Sequence, residues 1–290
     1  MITEPTTRPA EAAGSLLLGG DLKVNRIGYG SMGLTGPGIW GEPADPEGAV
    51  RVLRRAVELG VNFIDTADSY GPFTSELIIR KALHPYVDEL VIATKAGLSR
   101  PGPNDWRPLG RPEYLRQQAE LSLRHLGLER IDLFQLHRID PAVPLEDQVG
   151  ELALLQQEGK IRHIGLSEVT VEEVEQARAV APIASIQNLY NLADRKYEEV
   201  LRYAEREGLA FIPWFPIAMG QLAQPGTRLA SVQVAHEATP PQLALAWLLR
   251  HSPATLPIPG TTSVAHLEEN VASALLQLSD EEYAAVTEAG

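Results

Sequence analysis

Short apolar or β-branched runs punctuate the chain at regular intervals. They are RIGYG (26–30), NFIDT (62–66), LVIATK (90–95), IDLFQLH (131–137), IRHIGLS (161–167), SIQNLY (185–190), LAFIPWF (209–215) and TLPIP (255–259). Between them lie amphipathic stretches such as 46–59, 112–126, 145–158, 171–179, 197–207 and 240–250, several opening with Pro or Asp in the first turn. Short apolar runs alternating with helical periodicity predict repeated βα units and a parallel sheet. Eight such runs match a closed (β/α)8 TIM barrel. Ahead of them, apolar residues 15–18 and 22–24 flank Gly19-Gly20-Asp21 and predict a hairpin. The opening MITEPTTRPAEAAG reads as a disordered tail over 1–14, leaving 15–290 as a single domain with no compositional break. An open doubly wound sheet is the alternative. It usually begins with a glycine-rich phosphate turn running directly into a helix. Gly28, Gly30 and Gly33 have that spacing, but no helical pattern begins until about residue 46, so the match is discounted.

Length agrees with this reading, since a barrel of about 250 residues would take up most of the 290 present. Hydrophobic residues make up 44% and charged residues 22%, a globular rather than a disordered profile. A net charge of -13 opposes non-specific attraction to nucleic acid or to anionic membranes. There is no cysteine, which excludes disulfides, thiolate catalysis and Cys-ligated zinc, and no metal site is expected. No apolar run is long enough to span a bilayer and the N-terminus lacks a secretory h-region, so a cytoplasmic protein is expected.

Barrel active sites form where the strands end. The second run ends in Asp65, with Tyr70 in the following loop DTADSYG; the third ends in Lys95 and the fourth in His137. A free phenol, with a pKa of about 10, is a poor proton donor near neutral pH, and an adjacent ammonium lowers that value. Lys95 supplies the ammonium, Asp65 the carboxylate that keeps it charged, and His137 a hydrogen bond to a substrate oxygen. Such a set suits protonation of an oxygen that gains negative charge, as a carbonyl does under hydride attack. Singly, each residue has an ordinary structural reading as cap, rim or core; three successive strand ends bring all four together. A Schiff-base aldolase or isomerase using Lys95 as nucleophile is the rival chemistry.

The segments NFIDTADSYG, VIATKAG and DLFQLHRID resemble the signature segments of the aldo-keto reductase superfamily, and the similarity runs from about residue 16 to the C-terminus. The resemblance implies that Asp65, Tyr70, Lys95 and His137 are the catalytic tetrad, with Tyr70 as general acid and hydride coming from NADPH. It also implies that the leading hairpin closes the bottom of the barrel. Ser167, Gln187 and Trp214 fall at nicotinamide positions, Trp214 where the family sets an aromatic ring. IPGTTSVAHLEEN (258–270) resembles the loop for the adenine-side phosphate, with Gly260, Thr261 and Thr262 at a helix start and Glu269 and Asn270 at adenine positions. Three positions depart from the better-known members: Glu168 stands where many carry Asn, Gly260 where they carry Lys, and His266 where they carry Arg. The implied cofactor remains NADPH/NADP+ ahead of NADH. Some barrels of this superfamily are non-catalytic, cofactor-sensing subunits, a second rival role.

The implied partner is a small carbonyl substrate, selected by loops 31–45, 97–111 and 216–230, with Trp40 and Trp106 as candidate pocket walls.

Overall fold

The computed structural model describes residues 8–217 and 228–289. The hairpin forms as expected: β1 (Ser15–Leu18) pairs antiparallel with β2 (Leu22–Asn25) around the glycine turn. Seven strands follow in one parallel sheet: β3 (Tyr29–Gly30), β4 (Phe63–Asp65), β5 (Val91–Ala96), β8 (Ile131–Leu136), β9 (Ile161–Ser167), β10 (Ile183–Gln187) and β11 (Ala210–Phe211). Between β5 and β8, β6 (Leu98–Gly102) and β7 (Asp105–Pro108) form a separate antiparallel hairpin.

The eighth run differs from expectation, because 255–259 builds no ladder strand. It still closes the barrel, since Leu256 N donates to Phe211 O at 2.8 Å and Gly28 N donates to Pro257 O at 2.9 Å. Pro257 and Pro259 have no N–H, so a continuous ladder cannot form there. Glycine makes the seam tight: a Cβ on Gly30 would lie 2.7 Å from Ile258 O, and one on Gly260 2.6 Å from Gly30 O. Gly28 and Gly30 thus serve barrel closure and not a phosphate turn.

The α-helices of the described residues are α1 (Pro46–Glu58), α2 (Thr74–Leu83), α3 (Pro112–Leu126), α4 (Leu145–Gln157), α5 (Val171–Arg178), α6 (Glu198–Glu207), α7 (Arg228–His236), α8 (Pro240–His251), α9 (Val264–Ala272) and α10 (Asp280–Ala289). Their starts follow local chemistry. Asp45 accepts from Gly48 N, Thr170 and Glu173 form a reciprocal capping box, and Pro occupies the first turn of α1, α3 and α8.

Strand alternation sorts the barrel interior by height. Phe63, Val91, Leu133, Ala210 and Leu256 pack with Leu18 and Val24 of the hairpin in one buried cluster at the bottom. Further along β4, β5 and β8, and at the end of β10, the buried side chains become polar: Asp65, Lys95, Gln135 and Gln187. The hairpin is fastened by Asp21, which receives Arg162 and His163 at 2.6 Å each. The expected tail 1–14 needs shortening at its far end. Pro9–Ala13 is a 3-10 helix, with Ala10 fully buried and its N–H bonded to Leu59 O; residues 1–7 lie outside the described residues. A small apolar side chain in a Pro-started turn can fill a gap beside α1, a signal too short to stand out from a polar segment.

Candidate active site

β4 and β5 set the first part of the site. Beyond β4 the chain stays pinned to β5, with Thr66 N donating to Ala93 O at 2.8 Å and Asp68 N to Lys95 O at 3.1 Å. This docking folds the DTADSYG loop back over the barrel and carries Tyr70 above Lys95. The Lys95 ammonium, at 0% exposure, donates to Asp65 Oδ2 at 2.5 Å, to Thr66 O at 2.7 Å and to Tyr70 Oη at 3.4 Å. Asp65 Oδ1 accepts from Gln187 Nε2 at 2.8 Å and Gln135 Nε2 at 3.1 Å, so the carboxylate is satisfied on both oxygens. Gly165 makes room for this layer, since a Cβ there would lie 2.8 Å from Gln135 Cγ.

The electrostatics divide the roles. Burial alone would lower the Lys95 pKa, but Asp65 and Tyr70 outweigh it and the value is raised, so the lysine stays an ammonium. For Tyr70 the balance differs from the sequence expectation. Lys95 pulls its pKa down as anticipated, yet burial pushes harder and the phenol ends above its ordinary value. His137 is held well below its ordinary value by burial first and then by Lys95, Arg138 and Arg100, which makes it a neutral imidazole. Its Nδ1 lies 3.2 Å from Ser69 Oγ.

Aromatic rings close one side. Tyr70, His137 and Trp106 of β7 meet edge to face, with centroids 5.8–6.4 Å apart. Arg100 of β6 stacks on Trp106 at 3.5 Å and donates to Ser69 O and Gly38 O, tying three loops together. Of the two pocket tryptophans expected, Trp106 therefore reaches the rings of Tyr70 and His137. Trp40 pairs with Gly71 through a bridge and lies 5.7 Å from Arg100, one layer further out. Of the expected mouth loop 216–230, residues 218–227 lie outside the described residues.

The expected cofactor positions fall at the ends of the remaining strands. Ser167 ends β9 and its hydroxyl accepts from Arg138 Nη1 at 3.1 Å; Gln187 ends β10. Glu168 takes a left-handed backbone conformation, φ 56°. Its Oε1 accepts from Trp214 Nε1 at 2.7 Å and Leu189 N at 2.5 Å, and its Oε2 from Tyr197 Oη at 3.2 Å. The residue that replaces Asn is thus engaged in holding the Trp214 indole. At the adenine side, Thr261 O accepts from Tyr29 Oη, Thr261 Oγ1 accepts from Ser263 N, and Ser263 caps α9 through His266 N. Glu269 accepts from Thr239 Oγ1, and Asn270 is buried. Gly260 has no room for a lysine, because its missing Cβ would collide with Gly30 O. The flat indole, the serine hydroxyl and the α9 N-terminus suit a nicotinamide dinucleotide in ring, amide and phosphate.

Ser69, Arg100, Gln135 and Arg138 were not singled out from sequence. Gln135 could have been found from alternation, two residues before His137 on one face. Ser69 and Arg138 adjoin tetrad residues, whereas Arg100 carries no local signal.

Comparisons with known proteins agree with this geometry. The Aldo/keto reductase family description matches residues 26–290. An uncharacterized oxidoreductase of Schizosaccharomyces pombe is 54% identical, covering 97% of this chain and 91% of its own length. Pyridoxine 4-dehydrogenase of Escherichia coli is 45% identical, covering 90% of this chain and 93% of its own. Among solved structures, an aldo-keto reductase from Klebsiella pneumoniae in complex with NADPH is 28% identical with a TM-score of 0.80, covering 94% of each chain. Glycerol dehydrogenase from Gluconobacter oxydans is 28% identical with a TM-score of 0.86, over 96% of this chain and 95% of that one. No helix among the described residues is long and apolar enough to cross a membrane. The chain belongs to the aldo/keto reductase family and is an NAD(P)H-dependent oxidoreductase with a (β/α)8 barrel fold.

Proposed function

We propose that this protein reduces an aldehyde to the alcohol with NADPH, Tyr70 giving the proton to the carbonyl oxygen. The observation that carries the reading is the fully buried Lys95 ammonium set between Asp65 and Tyr70 Oη. When bound, the nicotinamide supplies the hydride. Tyr70, a neutral phenol whose pKa burial raises further, holds the proton the new alkoxide needs. The fixed Lys95 charge stabilises the phenolate left behind, and Asp65 with its two glutamine donors keeps that charge in place. With Nδ1 of the neutral His137 paired to the Ser69 hydroxyl, Nε2 is the ring nitrogen available to orient the carbonyl oxygen. Glu168 holds the Trp214 face ready for the nicotinamide.

A Schiff-base lysine needs a depressed pKa and a free lone pair. Lys95 has a raised pKa and bonds to Asp65, Thr66 and Tyr70, which argues against that chemistry. A purely cofactor-sensing role would not require the proton donor to be so arranged. The 45% identical pyridoxine 4-dehydrogenase makes pyridoxal the first aldehyde to test, and the rings of Trp106, Tyr70 and His137 offer an aromatic wall for it.

The test is steady-state pyridoxal reduction with NADPH and NADH in parallel. We expect pyridoxine as product and a kcat/KM for NADPH at least about tenfold above that for NADH, about 1.4 kcal/mol. Binding of NADPH without consumption of pyridoxal or simple aromatic aldehydes contradicts the proposal.

A further inference from the structure

Arg138 directly follows His137 and is half-buried at the same strand end. Both of its side-chain hydrogen bonds come from Nη1, to His137 O at 2.6 Å and to Ser167 Oγ at 3.1 Å. Guanidinium has five N–H donors in a planar fork, so the edge formed by Nε and Nη2 has no partner among the described residues. The other two cations near His137 are committed: Lys95 to Asp65, and Arg100 to the carbonyls of Ser69, Gly38 and Asp105. The nearby carboxylate, Glu168, accepts from Trp214, Leu189 and Tyr197 and forms no ion pair with Arg138 among the described residues. Arg138 stays close enough to feel Tyr70, whose charge acts on it and on which it acts. Among the described residues, a chain of net charge -13 thus keeps a partly desolvated guanidinium with one open edge near Tyr70.

We propose that Arg138 sets substrate choice by gripping an ionised phenolate oxygen carried ortho to the formyl group of an aromatic aldehyde. This rests on the carbonyl-reductase reading above. Bonded to His137 O and to Ser167 Oγ, Arg138 stands at the strand end next to the residue that would hold the carbonyl oxygen, so its open edge is the cation offered to an oxygen carried ortho to that carbonyl. A charge-assisted bond from a fork in low dielectric discriminates strongly against a substrate that cannot form it.

The probes are 3-hydroxypyridine-4-carboxaldehyde, at a pH where its hydroxyl is ionised, and the 3-methoxy analogue. In the unaltered enzyme the kcat/KM ratio of hydroxy to methoxy aldehyde is expected to be about tenfold or more. In Arg138→Met the ratio falls toward one, and in Arg138→Lys, which keeps the charge, part of it survives. The ratio cancels any general damage to the fold. A ratio near one in the unaltered enzyme, or an unchanged ratio in Arg138→Met, overturns the proposal. So does a ratio left intact while NADPH affinity drops tenfold, which makes Arg138 a cofactor ligand. If NADPH binds but neither aldehyde is reduced, the carbonyl-reductase reading itself fails and takes this one with it.

Discussion

Three residues after Asp65, and two before Tyr70, the same loop buries a second carboxyl. Asp68 is 2% exposed, and its Oδ1 has no hydrogen-bond partner among the described residues. Burial, and then the charge of Glu76, push its pKa well above the ordinary carboxylate range. An acid whose pKa is higher folded than unfolded binds more protons in the native state between the two values. Stability is therefore present below the unfolded value of about 4 and is lost as pH rises through the folded one. Asp68→Asn removes that loss. We expect it to stabilise the protein at pH 8 by on the order of 1–3 kcal/mol, with the gain shrinking as pH falls toward 5, read from urea midpoints at both pH values. No gain at pH 8 would contradict the assignment. At this scale the grouping of Asp65, Tyr70, Lys95 and His137 is legible, because Asp65, Lys95 and His137 each end an apolar run and the structure brings them together with Tyr70. The net direction at Tyr70 was not, since it depends on how deeply the loop is buried, and burial is a property of the folded chain.

The elements differ in how plainly their sequences announce them. Pro112–Leu126 was read to the residue because Pro opens it and Gly127 ends it in a left-handed turn. α2 was missed: its N-cap is Phe73 at φ 64°, with no capping side chain, so nothing marks its start. The β6–β7 hairpin was hidden by the Pro and Gly of 97–111, and with it the stacking of Arg100 on Trp106. The last barrel segment was visible as an apolar run, but its prolines turn a strand into a bridged seam that depends on Gly30 and Gly260. Gly30→Ala places a methyl group 2.7 Å from a backbone oxygen that has no flexible side chain to move. A loss of about 1–3 kcal/mol is expected by analogy with overpacked cores, measured by chemical denaturation; an unchanged midpoint would mean that the seam is looser than the contact implies.

At the scale of the whole molecule, one direction of chemistry runs through the barrel. Its bottom is apolar and stoppered by the hairpin, its middle is a buried carboxamide and carboxylate layer, and its top gathers Tyr70, His137 and Trp106. The proposed proton donor and the expected cofactor contacts lie on different strand ends, Tyr70 after β4 and the expected nicotinamide positions on β9, β10 and the segment after β11. A change confined to the phenol should therefore separate chemistry from binding. The decisive measurement is Tyr70→Phe, with aldehyde reduction and the NADPH-induced rise in Tm recorded on the same preparation. A native-state ligand at 100 times its Kd stabilises by about 2.7 kcal/mol, so binding is read independently of turnover. We predict that turnover falls by roughly 10²–10⁴ while the NADPH shift in Tm stays that of the unaltered protein. Full turnover with the hydroxyl gone would contradict Tyr70 as the proton donor.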